Sequence, residues 1–112
     1  MRSLHLFAIA SLIAVAACGS DSNTAPEVPT STNAVSVVND AFTPANIQIS
    51  AGTTVTWTLA ANAVQHNVTF SDGVASANLN AGATYTRTFA TAGTFSYHCT
   101  IHAGMNGSVT VK

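Results

Sequence analysis

From Ala34 to the C-terminus, apolar residues recur at every second position in short runs, and that spacing constrains the fold more than any other feature. Val35 and Val37 flank Ser36, and Ile47 and Ile49 flank Gln48. Val55, Trp57 and Leu59 alternate with Thr54, Thr56 and Thr58, and Val109 and Val111 close the chain. Ala51-Gly52, Ser71-Asp72-Gly73, Ala81-Gly82 and Ala92-Gly93 punctuate the runs. A period of two belongs to a strand with one buried face. Short runs with such turn signals between them indicate an all-β sandwich or barrel of about seven strands, without helices. Threonine fills the outward positions, where a β-branched side chain suits a pleated surface.

Parity assigns the interior. Phe42, Trp57, Phe70, Phe89, Phe95 and Tyr97 are the expected core aromatics. Arg87 breaks the pattern, because it shares parity with Tyr85 and Phe89. It is expected near a sheet end, its stem on the core and its guanidinium reaching water or Asp72.

The same parity sends Phe95, Tyr97 and Cys99 to one face and Ser96 and His98 to the other. Cys99 opens the run Cys99-Thr100-Ile101-His102-Ala103-Gly104-Met105, with a thiol, an imidazole and a thioether three residues apart. Taken singly, each has a plain explanation: a small buried hydrophobe, a surface histidine and a core filler. Together they are the soft and borderline ligands that select copper. His66 shares parity with Val68 and Phe70 and so points inward, where an uncoordinated imidazole is costly. Two histidines, a cysteine and a weak axial methionine make the trigonal site of blue-copper electron transfer. Asn67 is placed to hydrogen-bond toward the ligand loop and fix ring and thiolate geometry.

These residues resemble the plastocyanin/amicyanin/pseudoazurin branch of the cupredoxins. Gly52 before Val55-Thr56-Trp57, with His66-Asn67 after it, is similar to the family's approach to its first histidine. Gly93-Thr94-Phe95-Ser96-Tyr97-His98-Cys99 resembles its final approach to copper, and the two-residue gap from His102 to Met105 matches the short loop of amicyanin and pseudoazurin. The resemblance implies a Greek-key β-sandwich with one copper at one end, held by His66, Cys99 and His102 in the equatorial plane and Met105 on the axis. It also implies that the chain is an electron carrier rather than an enzyme, a monomer whose electrons leave through the His102 edge. A redox protein donor and acceptor then dock by an apolar patch around His102. His98 departs from the pattern, standing where plastocyanins commonly have Tyr, and the acidic docking patch of plastocyanins is absent. In copper nitrite reductases a histidine beside the copper cysteine binds a second metal. His98 therefore keeps open an oligomeric, nitrite-reductase-like subunit, or a second electron path. A periplasmic copper buffer or chaperone is the other rival, although such sites favour clusters of Met or Cys.

The N-terminus reads as an address. Arg2 precedes an apolar stretch, Leu4 to Ala17, too short to span a bilayer. Val15-Ala16-Ala17-Cys18 resembles a bacterial lipobox, with Cys18 lipidated; an ordinary signal peptide cut nearby is the alternative. The expected organisation is a lipoprotein signal peptide over 1–17, Cys18 and a flexible tether to residue 33, and one copper-binding domain over 34–112. Such a tether, rich in Ser, Asp, Asn, Thr and Pro, reaches about 20 Å as a coil. Two or more acyl chains hold stably where one holds marginally. The expected location is a bacterial membrane facing the periplasm or the cell exterior, and Gly19 after the cysteine favours the outer membrane. In 34–112 the formal charges are Asp40, Asp72, Arg87 and Lys112, which cancel. No basic stripe exists for nucleic acid.

Overall fold

The computed structural model describes residues 28–112. The expected signal peptide, Cys18 and most of the expected tether lie outside these residues. Nine strands follow in order: β1 (Thr30–Ser31), β2 (Ala34–Val38), β3 (Ala41–Thr43), β4 (Asn46–Ile49), β5 (Thr53–Leu59), β6 (Thr69–Phe70), β7 (Thr84–Phe89), β8 (Gly93–His98) and β9 (Asn106–Val111). No helix occurs among the described residues. The strands form two mixed sheets, β1-β4-β9-β8-β6 and β3-β2-β5-β7. The fold is the all-β, cupredoxin-like sandwich that the alternating pattern and the resemblance indicate.

The elements beyond the expected seven are short. Thr30–Ser31 pairs in parallel with Ile47 and Gln48. Thr30 and Ser31, within the stretch expected as tether, thus join the edge of the sheet. Four-residue β4 offers a free edge there, and Gln48 Nε2 donates to Ser31 Oγ at 2.9 Å, which fixes the register despite two exposed side chains.

The core lies between the sheets. Val35, Val37, Ile47, Val55, Trp57, Leu59, Phe70, Phe89, Tyr97, Val109 and Val111 are buried, as period-two burial requires. Five of the six expected core aromatics are buried; Phe95 is only partly so and packs against the cluster from its margin. Trp57 is at the centre, with Phe70 at 5.7 Å and Tyr97 at 5.5 Å, both edge-to-face. Such pairs contribute about 0.5–1.5 kcal/mol each beyond the area they bury. Tyr97 in turn meets Phe42 edge-on at 4.7 Å. It packs so closely on β9 that a Cβ at Gly107 would stand 2.4 Å from its ring and 2.7 Å from the Ala45 carbonyl oxygen. Only glycine fits at that position.

Arg87 lies as its parity demands. Its guanidinium carbon is 4.3 Å from the Phe70 ring centre, 4.7 Å from that of Phe89 and 5.3 Å from that of Phe95. The charged end then emerges to meet Asp72 at 2.7 Å. The aromatic faces attract the cation where water is partly excluded, and the Arg87 guanidinium holds the Asp72 carboxyl below its ordinary range.

Candidate metal centre

The two ends of β8 and β9 that face each other carry the ligand loop. Their register pairs His98 with Asn106, so the chain leaves β8 at Cys99 and re-enters the sheet just after Met105. The Cys99 N–H donates to the Met105 carbonyl at 3.0 Å and closes the loop at its base. Gly104, at φ +81°, supplies the left-handed turn between His102 and Met105 that a side chain would resist. Cys99 and Met105 are buried, and His102 is half-buried.

His66 reaches the same place from the segment that leads into β6, the neighbour of β8 in the same sheet. The sequence pattern suggests one strand from His66 to Phe70, yet only Thr69 and Phe70 pair with β8. The chain from Val74 to Leu79 folds back instead. Leu79 N–H donates to the His66 carbonyl at 2.7 Å, and Ser76 N–H to the Val68 carbonyl at 2.8 Å. His66, Asn67 and Val68 are consecutive and all buried, which a regular strand would not allow. Burial and the neighbouring His102 hold the His66 imidazole below its ordinary pKa, which favours the neutral ring that a metal requires.

The donor atoms converge. Cys99 Sγ lies 3.7 Å from His66 Nδ1 and 3.8 Å from His102 Nδ1. All three ligand atoms fall within 4.8 Å of one another, and no other such group of His, Cys, Asp or Glu occurs among the described residues. A first-row ion bonds nitrogen at about 2.0–2.1 Å and sulfur at about 2.3 Å, and a trigonal angle between them separates the donors by about 3.8 Å. The observed spacings fit one shared ion. His66 turns its Nδ1 to the sulfur, which makes Nδ1 the ligating atom, while its buried Nε2 has no hydrogen-bond partner among the described residues. His66, Cys99, His102 and Met105 are thus arranged as a type 1 copper site.

Asn67 ties the two halves together. Its Oδ1 accepts from the Thr100 backbone N–H at 3.0 Å and from Thr69 Oγ1 at 3.0 Å. Its Nδ2 donates to Thr100 Oγ1 at 2.7 Å and to Asn78 Oδ1 at 3.1 Å. Thr100, next to the thiol ligand, is therefore gripped at both backbone and side chain by the residue next to His66. Sequence reasoning pointed Asn67 at the loop but missed Thr100, Asn78 and Ser76, whose only signal is that they are polar residues in a stretch that must return to His66.

His98 stands apart. It is exposed on the outer face of β8, beside Ser96, Asn106 and Ser108 along a shallow polar groove. Among the described residues no second group of metal ligands includes it. Ile101, Ala103 and Gly104 are exposed around His102.

Comparison with known proteins agrees with this geometry. The family model for copper binding proteins of the plastocyanin/azurin family matches residues 30–112. The chain is 36% identical over 85 residues to plastocyanin of Scenedesmus fuscus, covering 63% of this chain and 86% of that one. It is 35% identical over 92 residues to amicyanin-alpha of Methylorubrum extorquens, covering 77% of this chain and 76% of that one. Among solved structures, the reduced Cu(I) form of an amicyanin variant superposes with a TM-score of 0.67 at 30% identity, over 77% of this chain and 87% of that one. The chain belongs to the copper binding proteins of the plastocyanin/azurin family.

Proposed function

We propose that this protein is a type 1 copper electron carrier, not an enzyme, working outside the cytoplasm. Copper supplies the one-electron Cu(II)/Cu(I) couple. The chain's own residues hold the ligands in a single arrangement that suits both oxidation states, because each comes from a segment braced by a sheet or by Asn67. The single observation that carries this reading is the convergence of His66, Cys99 and His102, whose ligand atoms lie within 4.8 Å of one another. Copper buffering is disfavoured, since a delivery site needs exposed soft ligands, whereas Cys99 and Met105 are buried.

His102 is the electron exit in this reading. It alone of the three close ligands is only half-buried, and the exposed Ile101, Ala103 and Gly104 surround it with small apolar surface. A donor and an acceptor protein dock there through shape and apolar contact, with the carrier a monomer. Asn67 positions the ligands without touching the metal. The relatives named plastocyanin and amicyanin-alpha support a carrier that meets redox partner proteins. At the N-terminus, Cys18 is the lipid-bearing residue that keeps the domain on a membrane facing the periplasm or the exterior, with the outer membrane favoured by Gly19. His98, exposed one residue before the thiol ligand, is a secondary path at most.

Voltammetry of the copper-loaded protein tests the function. A reversible one-electron wave, unchanged by nitrite or dioxygen, is expected. A catalytic current with nitrite would instead favour the reductase-like reading, and a Cu(I) form that cannot be reoxidised would favour buffering. His102→Gly with added imidazole should keep its colour and lose transfer to a partner. Unchanged transfer would remove the exit role.

A further inference from the structure

We infer that the copper end of the sandwich is the end held toward the membrane, and that the partner it meets is a redox protein fixed in that same membrane. This rests on the lipid-anchor reading of Cys18 given above. Strand direction sets where the chain enters the sandwich. β9 starts at Asn106, opposite His98 and directly after the ligand loop, so it runs away from the copper end. β4 is parallel to β9, with Asn46 opposite Ser108 and Ile49 opposite Val111. β1 is parallel to β4, with Thr30 opposite Ile47. All three strands therefore leave the copper end, and the chain must enter β1 from that side. The C-terminus lies at the other end, where the Ala51 N–H donates to the Lys112 carbonyl at 2.9 Å.

Nine residues, or ten Cα-to-Cα steps, separate Cys18 from Val28, where the described chain begins. At a maximum of about 3.3–3.6 Å per residue, that length cannot exceed about 36 Å. The anchor thus holds the domain close to the bilayer and pulls on it from the copper side. Charge points the same way. Of the four formally charged side chains in 34–112, Arg87 and Asp72 are paired and the sum is zero, so little long-range steering is available to find a diffusing partner. Confinement to one membrane supplies the encounter that charge does not, because tethering raises the effective concentration of one site at another. The neutral rim of Ile101, Ala103 and Gly104 suits a contact of that kind.

The test places the acylated chain, loaded with zinc, in phosphatidylcholine nanodiscs that contain a gadolinium-headgroup lipid. Amide signals of residues 100–104 should broaden at least several-fold more than those of residues 50–52 at the far end. The comparison protein carries Cys18→Ser and a lipid on a cysteine appended after Lys112, and its pattern should reverse. In vesicles bearing a ferrocenium lipid, the copper-loaded native chain should pass electrons, Cu(I) to Cu(II) as Fe(III) becomes Fe(II), at least tenfold faster than the comparison protein. Both should react equally with soluble ferricyanide, which also shows that both are folded. Equal broadening at the two ends, or equal rates with the lipid oxidant, overturns the inference while leaving the anchor intact. Absence of acyl groups on Cys18 in the secreted protein overturns the anchor and the inference with it.

Discussion

Gly107 and Asn67 show how little freedom single positions have near this site. A Cβ at Gly107 meets the Tyr97 ring and the Ala45 carbonyl, neither of which can move without disturbing the core or β4. Gly107→Ala should therefore cost about 1–3 kcal/mol, the usual penalty for overpacking, read as a lower urea midpoint with unchanged slope. Asn67→Ala should leave the fold in place but free Thr100 and with it the Cys99 backbone. Copper affinity should fall about 10–100-fold in a chelator competition, the range for residues that orient metal ligands. Cys99, His102 and Met105 were legible in the sequence because C-x-x-H-x-x-M is local, whereas His66, far upstream, was picked out chiefly by the resemblance to the cupredoxins. The partners of Asn67 were not legible. Thr100, Asn78 and Ser76 are ordinary polar residues until the 74–79 segment folds back on 66–70.

At the scale of elements, alternation located β2, β4, β5, β7, β8 and β9, since each buries one face. It failed where pairing rather than burial makes the strand. β1 exposes both its side chains, and 66–68 bury three in a row, so neither carries a period of two. Arg87 was legible for the opposite reason, as a charge on the buried parity of β7. Its stem and guanidinium close the core between Phe70, Phe89 and Phe95. Arg87→Ala should lose about 1–2 kcal/mol, from the cation–π contacts and the packed stem. That is a fall of roughly 4–8 °C in Tm per kcal/mol for a domain of this size. Asp72→Asn should cost clearly less, because its carboxylate is exposed and its pairing with Arg87 is screened by salt. Equal losses from the two would mean that the ion pair, not the aromatic seat, holds Arg87.

For the whole molecule, two buried groups bound the pH range of the metal-free protein. His66 has a folded-state pKa below its ordinary value of 6.5, so below that pH the unfolded chain binds the extra proton first. Stability of the apoprotein should thus fall as pH drops below about 6.5, and copper, which needs the neutral ring, should suppress the loss near that value. Tyr97 works at the other limit. Burial pushes its hydroxyl up to about 12, against an opposing effect of the Trp57 indole. Unfolding releases that proton above pH 10, and stability should fall between about pH 10 and 12, by about 2–3 kcal/mol in all. Tyr85, also raised by burial, adds in the same direction. Denaturation midpoints across pH check both limits, and Tyr97→Phe should remove most of the alkaline loss.

The central claim is that His66, Cys99 and His102 share one ion with thiolate bonding at its heart. The most direct measurement is the absorption and paramagnetic resonance of the copper(II)-loaded protein beside its Cys99→Ser variant. The account predicts an intense visible thiolate-to-copper band and narrow copper hyperfine splitting in the native chain, both abolished in Cys99→Ser. A weak, broad visible band with wide hyperfine splitting in the native chain, or a strong band that survives Cys99→Ser, would contradict it.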